Sequence, residues 1–133
     1  MNRKFSIPLV LISASLLLGS ALVSAEVYGD KGQCGGPPHG WVLPKDHIPE
    51  LAMSFTVTQD RAGTVFWNNQ KITPARFADF LKRLPKGRPR VFTIFSPKEN
   101  VDCRMITAMR HKLEKALECS KGWCGEGHGF TYY

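Results

Sequence analysis

At 133 residues with a formal net charge of +7, the chain is too short for two domains of ordinary size. Its basic excess is too dispersed to mark a nucleic-acid surface, and the densest run, Lys86-Gly87-Arg88-Pro89-Arg90, has no interleaved aromatic residue on which a base stacks. Scattered lysines and arginines of this kind make a solvated exterior, with an acidic partner or an anionic membrane surface as the functional alternative.

The chain opens with Arg3 and Lys4, continues with an apolar stretch from Phe5 to Leu18, and reaches Val23-Ser24-Ala25. A positive start, an apolar middle and small residues at the end are the three parts of a signal peptide, and cleavage is expected after Ala25. The stretch falls short of the ~20 mostly apolar residues that a spanning helix prefers. An uncleaved single-pass inner-membrane anchor is the alternative, and in either case the positive start sends the remainder outward. Residues 1–25 are thus the leader, and the expected location is periplasmic or secreted, with membrane contact only if the leader is retained. About 108 residues then remain, one domain with enough chain for a modest core, and the net charge drops to about +5.

Residues 26–49 are rich in Gly and Pro, with "CGGPPHGWVLPKDHIP" at their centre, and are expected to form an extended arm without regular structure. The folded body is expected over residues 50–133. Met53, Phe55 and Val57 alternate with Ser54, Thr56 and Thr58, the period-2 pattern of a half-buried strand. After "DRAG" a second strand follows from Thr64 to Asn68; Gly63 lets the chain turn, making a hairpin that Asn68-Asn69-Gln70 ends. Thr73 before Pro74 is a helix start: the hydroxyl caps, and the Pro occupies the first turn, where its missing N–H costs nothing. Phe77, Phe80, Leu81 and Leu84 form one apolar stripe, and Pro85 and Gly87 stop the helix.

Residues 90 to 95, "RVFTIF", are apolar on both faces and predict a central strand. A second helix is expected from about Val101 to Cys119, with Met105, Ile106, Met109, Leu113, Ala116 and Leu117 as its buried stripe. The tail "KGWCGEGHGFTYY" has glycines for a loop and aromatic residues at its end for a last strand. The resulting order, ββαβαβ, predicts an α+β two-layer sandwich: a small mixed sheet with two helices on one face.

Export gives the four cysteines a meaning, since an even count in an oxidising compartment implies two disulfides. Cys103 and Cys119, placed on one helix, stand ~24 Å apart along its axis and cannot pair. Pairing Cys103 with Cys124 asks the few residues after the helix to run back nearly its full length, beyond their reach. The surviving arrangement joins Cys34 to Cys103 and Cys119 to Cys124. Its rival is a metal- or thiol-active protein using Cys119, Cys124 and His128, with His39 and His47 on the arm. C-x4-C-x3-H matches no strong zinc pattern, and neither C-x-x-C nor a Ser-His-Asp set is present, so no catalytic residue and no cofactor are expected. His111, beside Arg110, is expected at the surface.

Among the tryptophans, Trp67 belongs to a strand and is expected in the core, whereas Trp41 and Trp123 lie in Gly-rich segments, with covering a sheet edge or a helix end as one expected role and partner binding as the other. Those two, with Tyr132 and Tyr133 at the end of the tail, are the candidate partner-binding residues, since aromatic side chains dominate interface energetics. An exposed sheet edge would accept an extended peptide as an added strand, unless the final "FTYY" occupies that edge.

From Leu43 to Leu117 the chain resembles a known family. "SFTVTQDRAGTVFWNNQKITPARFADFLKRLP" followed by "RVFTIFSPKENVDCRMITAMRHKLEKALE" is similar to the periplasmic domain of the ExbD/TolR biopolymer transport proteins. The likeness lies in a strand pair, "NNQKIT" leading into an amphipathic helix, a buried strand with a polar exit, and a second amphipathic helix. It implies a homodimer that engages peptide or protein partners in the cell envelope and serves a transmembrane transport motor driven by the proton gradient. The family's spanning helix carries an Asp for proton flow, whereas residues 5 to 25 hold no Asp, Glu, Lys or Arg. The expectation is therefore a non-catalytic, exported partner-binding domain that does not itself couple protons.

Overall fold

Alternation, capping and turn residues in the body are realised as five strands and two helices in a computed structural model, which describes residues 26–29, 34–46, 48, 53–84 and 91–130. The strands are β1 (Met53–Gln59), β2 (Val65–Trp67), β3 (Gln70–Ile72), β4 (Val91–Phe95) and β5 (Cys124–Glu126); the helices are α1 (Pro74–Arg83) and α2 (Cys103–Ala116). They form one mixed sheet in the order β3-β2-β1-β4-β5. β1 pairs antiparallel with β2 and β2 with β3, while β4 runs parallel to both β1 and β5. The α+β fold expected from the sequence is present.

Two local expectations are corrected. Asn68-Asn69-Gln70 does not end the strand pair: Asn68 and Asn69 have φ of 47° and 67°, a two-residue turn with both central residues left-handed, and the chain reverses into β3. Such primed turns match the twist of paired strands, and Asn tolerates them better than most residues. The second helix stops at Ala116 rather than Cys119, and Cys119–Lys121 form a separate 3-10 turn whose exit, Gly122, has φ of 85°. The last described strand is Cys124–Glu126, and the end of the aromatic tail expected to form a strand, residues 131–133, lies outside the described residues. The leader expected over residues 1–25 also lies outside them; among the described residues, no helix is long and apolar enough to cross a membrane.

Alternate side chains along the strands supply two clusters. Val57, Val65, Trp67 and Phe95 project to the helix side, where they meet Phe77 and Leu81 of α1 and Ile106, Met109 and Leu113 of α2. Each such side chain, when fully buried, contributes roughly 1.5–3 kcal/mol. Trp67 is central as expected: its ring lies 5.1 Å from Phe55, 5.5 Å from Phe80 and 6.1 Å from Phe77. On the opposite side, Phe92 and Ile94 pack with Ile48 of the arm and with Val42, Trp123 and Phe130. β4 is therefore buried along its whole length, which its continuous apolar run anticipates.

Both helices start where the sequence places a cap. The Thr73 hydroxyl accepts from the Arg76 N–H at 3.2 Å, with Pro74 in the first turn. Asp102 caps α2, its carboxylate accepting from the Arg104 N–H at 2.8 Å and from the Arg104 guanidinium at 2.7 Å. That side-chain bond, then the backbone bond, hold the Asp102 carboxyl down at about 2.

Candidate functional site

The two edges of the sheet are built differently. At the β5 edge, the Val42 N–H donates to the Cys124 carbonyl at 2.8 Å, and the Val42 carbonyl accepts from the Glu126 N–H at 3.1 Å. The arm thus lies against β5 as a parallel bridge between Val42 and Gly125 and takes up the edge. Gly125 is required by what crosses it, because a Cβ there would come within 2.9 Å of the Phe92 ring and nearer still to Phe130.

The arm is more than an extended tether. Tyr28 and Trp41 belong to the helix-side core, and the Trp41 indole N–H donates to the Glu114 carboxylate at 3.1 Å. Pro44–Asp46 make a 3-10 turn, and Val27 bridges Asp102. Gly40, with φ of 87°, lies so close to the backbone of Ser120 that a Cβ would collide with it. Left-handed backbone and close approach together explain the glycine.

Covalent and ionic ties secure the same side of the sheet. Cys34 is bonded to Cys103 and Cys119 to Cys124, the pairing expected from the sequence, with Cα separations of 5.3 and 4.6 Å. Beneath them lies a contact that the sequence did not reveal. Arg110 of α2 grips Glu126 of β5 in a two-pronged ion pair, Nε to Oε2 at 2.7 Å and Nη2 to Oε1 at 2.6 Å, with side-chain exposures of 7% and 0%. A third guanidinium nitrogen, Nη1, donates to the Cys34 carbonyl at 2.9 Å, so one side chain joins helix, strand and arm. A dry pair offsets its desolvation only when its donors and acceptors are satisfied in this way. Tyr28 stands close enough for its hydroxyl pKa to be raised, first by burial and then by the Glu126 charge, with Arg110 opposing.

The β3 edge has no such cover among the described residues. Gln70 and Lys71 are exposed and Ile72 half-buried. In a two-residue hairpin Gln70 and Ile72 direct their backbone groups toward β2, so the N–H and C=O of Lys71 point outward. Beside this edge is a recess of about 460 Å³, lined by Ala62, Gly63, Thr64 and Val65 from the first hairpin and by Lys71, Ile72, Thr73 and Pro74. Gly63 has φ of 82°, the left-handed backbone for which its turn needs glycine.

The aromatic candidates are dispersed. Trp41 is in the core, where 7% exposure leaves little ring for a partner, and Trp123 is half-buried against the second cluster. Tyr132 and Tyr133 lie outside the described residues. The alternative metal set is not assembled: both Cys119 and Cys124 sulfurs are consumed in their disulfide, and exposed His128 places Nε2 3.2 Å from the Pro97 carbonyl. His39 and His111 are exposed, His47 lies outside the described residues, and no group of three metal-ligating side chains occurs among the described residues. No protein-family model and no curated protein matches the chain.

Proposed function

We propose that the chain is a non-catalytic domain of the cell envelope, exported by its leader, that binds an extended segment of a protein or peptide partner along β3. The observation that carries the reading is the asymmetry of the edges: the arm occupies the β5 edge, while β3 presents an outward N–H and C=O beside a recess. A strand added to β3 would gain main-chain hydrogen bonds at Lys71, and the recess beside Ile72 would take one of its side chains. The resemblance to the periplasmic domain of ExbD/TolR proteins supports the same class of role, and paired cysteines suit an oxidising compartment.

The test is peptide selection by display on the oxidised protein, followed by affinity measurement on the Lys71→Pro variant. Proline is tolerated on edge strands and here removes only the outward donor. Selected peptides are expected to bind Lys71→Pro at least tenfold more weakly while its Tm stays near that of the parent. Equal affinity for both proteins, or failure to select any peptide, would refute the reading.

A further inference from the structure

On the side of the molecule away from the sheet, α1 and α2 enclose a second recess of about 360 Å³. It is lined by Ala78, Leu81 and Lys82 of α1 and by Lys112, Lys115 and Ala116 of α2. Its floor is apolar, with two alanines that keep it open and Leu81 only 4% exposed beneath them. Its rim is three lysines, all exposed and none in an ion pair among the described residues. The neighbouring acids are engaged elsewhere. Asp79 pairs with Arg83 at 3.1 Å, Glu114 accepts from Trp41, and Glu118 pairs with Lys121 at 2.7 Å. Among the described residues, no carboxylate lines the recess.

We infer that this groove docks an amphipathic helix of a partner protein whose apolar stripe is flanked by Asp and Glu. Charge complementarity fixes the sign of the partner: three lysines without a counterion favour acidic flanks, and their aliphatic stems widen the apolar walls. The shape fixes its form. Neither α1 nor α2 has free backbone donors along the groove, so an extended peptide would lie there with its own backbone unpaired, whereas a helix satisfies its backbone internally. Both helices connect strands that run parallel, so they return side by side, and a third helix lies along the furrow between them. A flat anionic bilayer would meet the lysine rim but could not reach Leu81. This surface shares no lining residue with the recess beside β3 and takes a different occupant.

The experiment uses the oxidised chain and three probes. One is a 20-residue helical peptide with a leucine stripe flanked by glutamates; the second has the same composition in scrambled order; the third is vesicles of phosphatidylglycerol and phosphatidylcholine. Binding is compared for the parent, for Lys82→Glu/Lys112→Glu/Lys115→Glu, for Ala78→Trp, which fills the recess without changing charge, and for the off-groove control Lys45→Glu/Arg61→Glu. The expected result is that the ordered peptide binds at least tenfold better than the scrambled one. Both groove variants should lose about tenfold or more, and the control should lose far less. Equal binding of the two peptides, unimpaired binding to Ala78→Trp, or binding to vesicles without binding to the ordered peptide would each overturn the inference.

Discussion

The two ends of the sheet contrast in how their edges are managed. At the β5 edge a bridge from the arm, two disulfides, a buried ion pair and the Trp41 to Glu114 bond tie the arm, α2 and β5 together along the length of α2. At the β3 end, the outermost strand is three residues long and bears a lysine, features that discourage uncontrolled pairing yet leave one backbone pair open. A small domain has limited core with which to hold its layers together, and here the reinforcement is concentrated at the closed end. The open end rests on hairpin geometry and one aromatic cluster, which leaves it free to accept another strand.

Removing the reinforcement should therefore cost far more than altering the open edge. The largest effect is expected for Glu126→Gln, which leaves the Arg110 guanidinium buried without its counter-charge. Breaking one partner of such a pair typically destabilises by about 3–5 kcal/mol, to be read from denaturant unfolding under oxidising conditions. If Glu126→Gln unfolds within about 1 kcal/mol of the parent, the pair does not hold the closed end.

Disulfide removal should sharpen the contrast inside the closed end itself. Cys34 and Cys103 are separated by 69 positions and Cys119 and Cys124 by 5, so the two bridges constrain the unfolded chain unequally. Loop entropy assigns about 4 kcal/mol to the long bridge and about 2 kcal/mol to the short one. Double Cys→Ala variants measured by urea denaturation should keep that order, and an inverted order would mean that local packing outweighs loop closure.

These features were unequally legible in the sequence. Strand alternation, the Thr73-Pro74 helix start, the central placement of "RVFTIF" and the cysteine pairing all follow from local rules, and the fold bears them out. β3 was missed because Asn-Asn followed by three residues is too short to display a period, although two consecutive Asn residues are a usable signal for a primed turn. Arg110 with Glu126 was invisible for another reason. The partners are 16 positions apart on different elements, and nothing local distinguishes an arginine bound for the interior from its solvated neighbours. The arm was misjudged in the same way: Gly and Pro content indicates irregular backbone but not whether that backbone is packed, and Trp41, as a cover for a sheet edge or helix end, was its one pointer toward burial.

Smaller effects probe the helix starts. Thr73→Ala removes the cap of α1, next to the open edge, and should lower stability by about 1 kcal/mol in urea unfolding. Asp102 at the start of α2 gives a pH signature instead. Its folded pKa, about 2, lies below the ordinary value of 3.8, so its stabilisation is present above about pH 4 and fades as the pH falls toward 2. In Asp102→Asn the Tm should fall less steeply over that window than in the parent; matching slopes would mean that the cap does not titrate as described.

The most direct test of the open-edge account is amide hydrogen exchange at Lys71, with and without a peptide selected on the oxidised protein. The account predicts that the Lys71 N–H, facing outward in the free protein, exchanges rapidly and becomes protected in step with peptide occupancy, while the amides of the β5 edge are unchanged. A bound peptide that leaves Lys71 unprotected, or that protects the amides of Val42 and Glu126 instead, would contradict it.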